Sequence, residues 1–402
     1  MHSSPRPPGP DHVGSKRRTF RACAFVAAGA LALAACGSSG GGSKSGSVPA
    51  STLSSLRSVL VKAERVPTFT DPGPAVSASV LKGKSALAMP VNSEIDACNT
   101  QTQDFAALGA QLGLHVHVFA DSGVPTEWVT GVQDATSAHD AAVALICGII
   151  PGAVGPQLQA AQQAGVEVVD GNYSETSNYT DLNGETNVNV AQGVTDDVDQ
   201  AIVNLAGKPL HALVVSTDSI IQGPASISAV SSAVKAACPS ACSVDDTVLV
   251  PIQDWATSVQ SDVSSALDAH PDVNAVIVTF DGMVQFALPS IEGAHRTGLK
   301  IYTWGGSRSV ESLMLKSGSL VAADPGPDER WDAYEAMDQV IRLVGHHPAA
   351  SVNAEIDPNR FWVPSNVSAF FGPGGTYGDE GYGGDTFING FRKLWGLSPV
   401  GS

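Results

Sequence analysis

Charge is scarce in this sequence. Charged residues fill 15 % of 402 positions, against about 25 % in ordinary globular chains. The shortage is mainly of bases: 22 Lys and Arg face 39 Asp and Glu, for a net charge of −17. Nucleic-acid binders need clustered Lys and Arg to displace counterions from phosphate, so the deficit excludes that class. Apolar runs long enough to cross a bilayer, about 20 residues, are missing as well. So are G-x-S-x-G and H-E-x-x-H, and no Ser, His and Asp stand at a spacing that would single out a hydrolase. What remains is a globular composition, 43 % hydrophobic, with length for two or three domains.

The bases that exist are concentrated at the N-terminus. Arg6, Lys16, Arg17, Arg18 and Arg21 stand against the single acid Asp11, and a short apolar run follows from Ala22 to Ala35. A basic segment, a short apolar segment and small residues make a secretory signal. It ends in Leu33-Ala34-Ala35-Cys36-Gly37, which resembles a bacterial lipobox, in which Cys36 would be acylated and become the new N-terminus. The alternative is an ordinary signal with an incidental Cys. Lys16-Arg17-Arg18-Thr19-Phe20 also resembles a twin-arginine export signal. Residues 1–35 are therefore expected to be a leader. Gly37–Val48 is expected to be a flexible tether reaching at most roughly 40 Å, within a lead-in of 36–83.

Six cysteines are present. With Cys23 in the leader and Cys36 on the lipid, Cys98, Cys147, Cys238 and Cys242 remain, an even number that suggests two disulfides in an oxidising compartment. Cys238 and Cys242 would close a small loop after a helix, which leaves Cys98 to pair with Cys147; free thiols at 238 and 242 are the alternative. A metal site is not expected, because no His lies close in sequence to complete a Cys2His2 set.

From Ala86 onward, apolar runs alternate with amphipathic stretches. Strands are expected at Ala86–Val91, Leu114–Phe119, Ala142–Cys147, Val166–Val169 and Thr186–Val190. A second set is expected at His211–Ser216, Thr247–Val250, Asn274–Phe280, Leu299–Thr303 and Leu320–Ala323. Helices are expected at Thr100–Leu112, Thr126–Ala138, Val154–Ala164, Ser258–Ala269, Gly282–His295 and Glu329–Leu343. Strands separated by helices of 10–15 residues indicate parallel sheets. Two sets imply two doubly wound α/β lobes, and ligands of such sheets bind beyond the strands' carboxyl ends.

Several segments carry a resemblance. Gln103–Gly113 reads QDFAALGAQLG; Ile149–Val154 reads IIPGAV and is followed by Ala161–Asp170, AQQAGVEVVD; His270–Val276 reads HPDVNAV and leads into Phe280-Asp281-Gly282-Met283. In this order and spacing they resemble the type I periplasmic substrate-binding proteins of ABC importers, in particular the ribose-like sugar-binding group, over roughly residues 84–365. The tail Phe391–Gly396 looks like that of many such lipoproteins. The resemblance implies two lobes joined by three crossovers, closing on a ligand with no chemistry and no cofactor. It divides the chain into 84–193 plus 325–350, 194–324 plus 351–366, and a tail of 367–402 without an assigned role. Hinges would lie near Val190–Thr195, Asp324–Pro325 and Pro348–Asn353. The implied partners are a small sugar or polyol and a membrane permease, with the receptor a monomer.

The family's ligand positions carry over unevenly. Its stacking aromatic matches Trp255. A second aromatic matches Trp304, followed here by Gly305 in place of a polar residue. An Asn-Asp pair becomes Phe280-Asp281; Asp170 matches an Asp but is followed by Gly171 in place of Arg; and the basic residue near Gln222–Ala225 is absent. The first loop has Glu94, Ile95 and Asp96, and Asp324 falls at the polar residue of the last crossover. Forked donors are depleted while acids and aromatics remain. A neutral sugar or polyol fits, since carboxylates accept hydroxyl protons. A cationic amine or a nucleoside is the alternative, since acids and aromatic faces also suit a cation. The same receptor could serve sensing in place of transport.

Overall fold

The computed structural model describes residues 46–173, 181–371 and 379–401. The leader, the lipobox with Cys36 and most of the tether lie outside the described residues.

In chain order, α1 (Ala50–Ala63) precedes β1 (Ser85–Pro90), α2 (Asp96–Leu112), β2 (His115–Val118), α3 (Pro125–Ala138), β3 (Ala142–Ile146), α4 (Pro151–Gln163), β4 (Glu167–Tyr173) and β5 (Gly184–Val188). The second set is α5 (Val190–Asn204), β6 (His211–Ser216), α6 (Gly223–Ala237), β7 (Ser243–Leu249), α7 (Trp255–Ala269), β8 (Ala275–Val278), α8 (Val284–Gly293), β9 (Lys300–Thr303), α9 (Arg308–Met314) and β10 (Val321–Ala323). Then come α10 (Glu329–Val344), β11 (Ile356–Asp357) and α11 (Asp385–Leu394).

The strands form two sheets, ordered β11-β5-β4-β3-β1-β2 and β10-β9-β8-β6-β7, and every strand pairing within them is parallel. Central strands such as β3 (AVALI) are buried along their whole length, as a sheet covered on both faces requires. β2, at an edge, reads HVHV and is largely exposed. Helix starts are written locally: α3 and α4 have Pro in the first turn, where a missing N–H costs nothing. Asp328 caps α10 by accepting from the Arg330 and Trp331 amides at 2.9 and 3.0 Å, as N-cap acids do.

Both expected disulfides are formed, Cys98–Cys147 and Cys238–Cys242.

Two segments lie elsewhere than the sequence reading puts them, and the tail, left without a role, packs into the fold. Within the lead-in 36–83, expected to start as a flexible tether, Val48 is buried and its N–H donates to the Gly207 carbonyl at 3.1 Å. Ala50–Ala63 is a helix packed on α5, and its apolar stripe, with Leu53 and Leu60 buried, is the reason. Residues 351–366, assigned to the second lobe, send β11 to the edge of the first sheet beside β5. The tail 367–402 packs α11 on α10: Phe387 stacks on Trp331 at 4.5 Å and Trp395 on Tyr334 at 5.4 Å. The lead-in meets the same tail, with the Val76 N–H donating to the Leu394 carbonyl at 2.8 Å.

Candidate functional site

Each sheet reverses its strand order once, between β1 and β3 in the first and between β6 and β8 in the second. The crevice outside the strand ends at such a reversal is where parallel α/β sheets take ligands. Here both crevices open onto one partly open space. Val91 follows β1, Cys147 follows β3, Ile220 and Gln222 follow β6, and Phe280 to Gly282 follow β8; all line it. Ile95, Ala97, Cys98 and Gln101 of the loop after β1 and of α2, Ile252 and Trp255 after β7, Trp304 and Gly305 after β9, and Pro327, Glu329 and Asp332 at the start of α10 complete the wall. The cavity holds about 60 Å³, room for a few waters and well short of the roughly 300–1,000 Å³ of typical ligand pockets. A sugar-sized molecule enters only if the walls part.

Four of the eight expected ligand residues line this space: Trp255, Phe280, Asp281 and Trp304. Trp255 is buried, its indole N–H donating to the Val250 carbonyl at 3.0 Å, so a ring is left for the cavity. Trp304 meets Phe280 edge to face at 6.1 Å. Its indole N–H donates to Asn359 Oδ1 at 3.1 Å, and Asn359 Nδ2 donates in turn to the Asn189 carbonyl at 2.7 Å. One cavity aromatic is thus tied to the β5–α5 crossover.

Two glycines make room for these groups. A Cβ on Gly305 would sit 2.1–2.4 Å from the Asp281 carboxyl, and one on Gly193 would sit 2.0 Å from Trp304. Gly305 therefore belongs with Asp281: the carboxyl occupies the volume a side chain at 305 would fill. Asp281 Oδ2 accepts from the Ser307 N–H at 2.7 Å. Burial pushes the Asp281 carboxyl up to about 6, against the pull of those bonds.

The other four lie off the cavity wall. Asp324, in the crossover after β10, is fully buried. It accepts from the Gly306 N–H at 3.1 Å and takes a carboxyl–carboxylate hydrogen bond from Glu311, burial raising both acids well above their ordinary range. It fixes the crossover to the Gly305-Gly306 turn. Asp170 is fully buried in the middle of β4, in register with Leu145 and Glu185, and its carboxyl oxygens meet no hydrogen-bond partner among the described residues. Burial, then the charge of Glu185, drives it well above the carboxylate range. Glu94 and Asp96 are exposed, the first on the loop after β1 and the second in the first turn of α2, where a negative charge suits the helix end. Strand-end reasoning cannot tell a residue that turns in from one that turns out.

The same reasoning reaches Gln222, in the segment after β6, but passes over Gln101, Glu329 and Asp332, which lie in the first two turns of α2 and α10, where acids are ordinary in the first turn. Gly148 makes room for Gln222: it has φ +88°, and a Cβ on it would lie against Gln222 Oε1. Cys147 before it also has positive φ, 70°, so two left-handed residues in a row turn the end of β3 along the cavity and place the disulfide in its wall.

No protein-family model matches the chain, and no curated protein matches it in sequence. Solved structures do match in fold. A solute-binding protein of a 5-methylthioribose transporter from Thermotoga lettingae, in complex with 5-methylthioribose, has a TM-score of 0.66 at 15 % identity, over 80 % of this chain and 99 % of that one. A sugar ABC transporter protein from Yersinia enterocolitica has a TM-score of 0.63 at 16 % identity, over 82 % and 99 %. A solute-binding protein from Agrobacterium vitis with bound allitol has a TM-score of 0.62 at 16 % identity, over 72 % and 98 %. Two parallel α/β lobes meeting at a cavity between their strand ends are the fold of the type I periplasmic binding proteins, and this chain has it.

Proposed function

We propose that the chain is the solute-binding receptor of an ABC importer, exported and tethered through Cys36, which closes two lobes on a small polyhydroxylated ligand and performs no chemical step. One observation carries the reading: the reversal points of both sheets converge on one cavity, partly open to solvent, lined by Trp255, Phe280 and Trp304 together with carboxyl and amide groups. Aromatic faces with a few convergent polar groups suit a ring that is apolar on its faces and polar on its rim. The solved structures of like fold hold 5-methylthioribose and allitol, and others hold glycerol and D-arabinose. Closure would turn on the crossovers β5–α5 and β10–α10 and the stretch leading to β11. The receptor would be anchored to the outer face of a bacterial cytoplasmic membrane and hand its ligand to a permease within that membrane.

The test is a thermal-shift screen of the full-length chain against pentoses, hexoses, polyols, nucleosides and their amino derivatives. A ligand at 100 times its dissociation constant adds about 2.7 kcal/mol, which reads as a rise of a few degrees. Stabilisation by one chemical group of sugars or polyols supports the receptor; a flat panel contradicts it.

A further inference from the structure

We infer that the ligand carries a protonated amine on a sugar-like body, the ammonium group held at Glu329 and the ring lying against Trp255 and Trp304. The inference rests on the receptor reading above and names the class of its ligand.

The charge balance of the wall points there. Asp281, Glu329 and Asp332 all line the cavity, and none of the described residues lining it is Lys, Arg or His. Glu329 is 4 % exposed, and its Oε2 has no hydrogen-bond partner among the described residues. A buried acceptor left unmatched is costly, and this one belongs to a residue of the cavity wall. Acids lie around it on every side: Asp328 on its own helix, Asp104 on α2, and Asp281 after β8. The nearest base on the same helix, Arg330, is turned to Asp104 at 3.8 Å.

A neutral ring would leave this negative charge to be quenched by protons. An ammonium group supplies both the charge and the donors, and charge-assisted bonds are about twice as strong as neutral ones. The aromatic part of the wall acts in the same direction, since Trp faces attract cations. Burial holds the Glu329 carboxyl well above its ordinary range while no cation is present, so a cation that binds there expels a proton.

The experiment compares isosteric pairs on the full-length chain by titration calorimetry: glucosamine with glucose, galactosamine with galactose, and 1-amino-1-deoxyglucitol with glucitol. Each amine is expected to bind about ten-fold or more tightly than its neutral partner. Repeating the titration in phosphate and in HEPES, whose ionisation heats differ, should show protons released on binding. Glu329→Gln should bring each pair to within about three-fold, checked against a thermal melt of the variant. If that variant does not fold, the wild-type pairs and the proton count decide. Neutral members that bind as tightly as the amines, or tighter, overturn the inference and leave the receptor standing. Silence from every pair overturns both.

Discussion

The two ends of α10 are built from the same materials and end in opposite states. At its C-terminal end, Asp338 is fully buried but surrounded by donors: Arg342 Nε at 2.5 Å and the Trp395 indole N–H at 2.6 Å. Arg342 Nη1 goes on to the Pro74 carbonyl at 3.0 Å, so the lead-in, the tail and the helix are clasped at one point. Between the ends, acids answer acids. Glu355 shares a proton with Asp338 and Asp357 with Asp332, burial and then the neighbouring acids raising Glu355 and Asp357 well above their ordinary range. At the N-terminal end, Glu329 Oε2 meets no partner among the described residues and borders the cavity. A buried acid alone therefore says little about ligands in this protein; one that is both unmatched and on a residue of the cavity wall says more.

Removing the cation of the clasped end should have the largest effect. Arg342→Leu strands Asp338 as a buried charge, a loss of about 3–5 kcal/mol that urea denaturation should read as a large fall in midpoint. A loss under about 1 kcal/mol would mean that Trp395 and the shared protons suffice.

At the cavity end, Gly305→Ala forces a methyl into the Asp281 carboxyl. A cost of about 1–3 kcal/mol is expected, with ligand affinity falling alongside because Asp281 and Ser307 must move. Unchanged affinity would mean that Asp281 is displaced without consequence and is not part of the binding wall.

The acid pairs are read by pH. Burial raises these carboxyls above their unfolded values, so between about pH 4 and their folded values the folded chain binds more protons than the unfolded one. Stability is then greatest on the acid side and falls as pH rises through that window. Asp121, Asp196 and Asp281 are raised to about 6 and Asp199 to about 7. The melting temperature should drop by a few degrees between pH 5 and pH 8. A temperature that climbs over that range would show the buried acids to be ionised and matched by cations.

Much of the fold was legible because it rests on local pattern. His211–Ser216 reads as a strand and is β6; the helix expected at Glu329–Leu343 runs one residue further. The first turn of α2 was missed because Ile95 stands at its N-cap with no side-chain cap. Long-range packing was less visible. Nothing in the composition of 36–83 requires it to lie under the tail, although Phe387, Phe391 and Trp395 recur at a spacing of four and already mark an apolar helix face. At the site, the aromatics after strands were found because strand ends define the crevice. Gln101 and Glu329 were not, because both lie inside helices rather than after a strand. Asp324 and Asp170 lie off the cavity wall, and in sequence a buried acid at a strand or crossover looks the same whether it faces ligand or protein.

The central claim is that the space between Trp255 and Trp304 is where this protein binds. Calorimetry with the best ligand of the screen tests it most directly, run on the wild type and on Trp255→Ala, with a melt to show that the variant is folded. The account predicts affinity lost by about 100-fold, in line with about 1–3 kcal/mol for the ring contact and the added cost of a wall left open. A folded Trp255→Ala that binds as tightly as the wild type would place the ligand elsewhere and contradict the account.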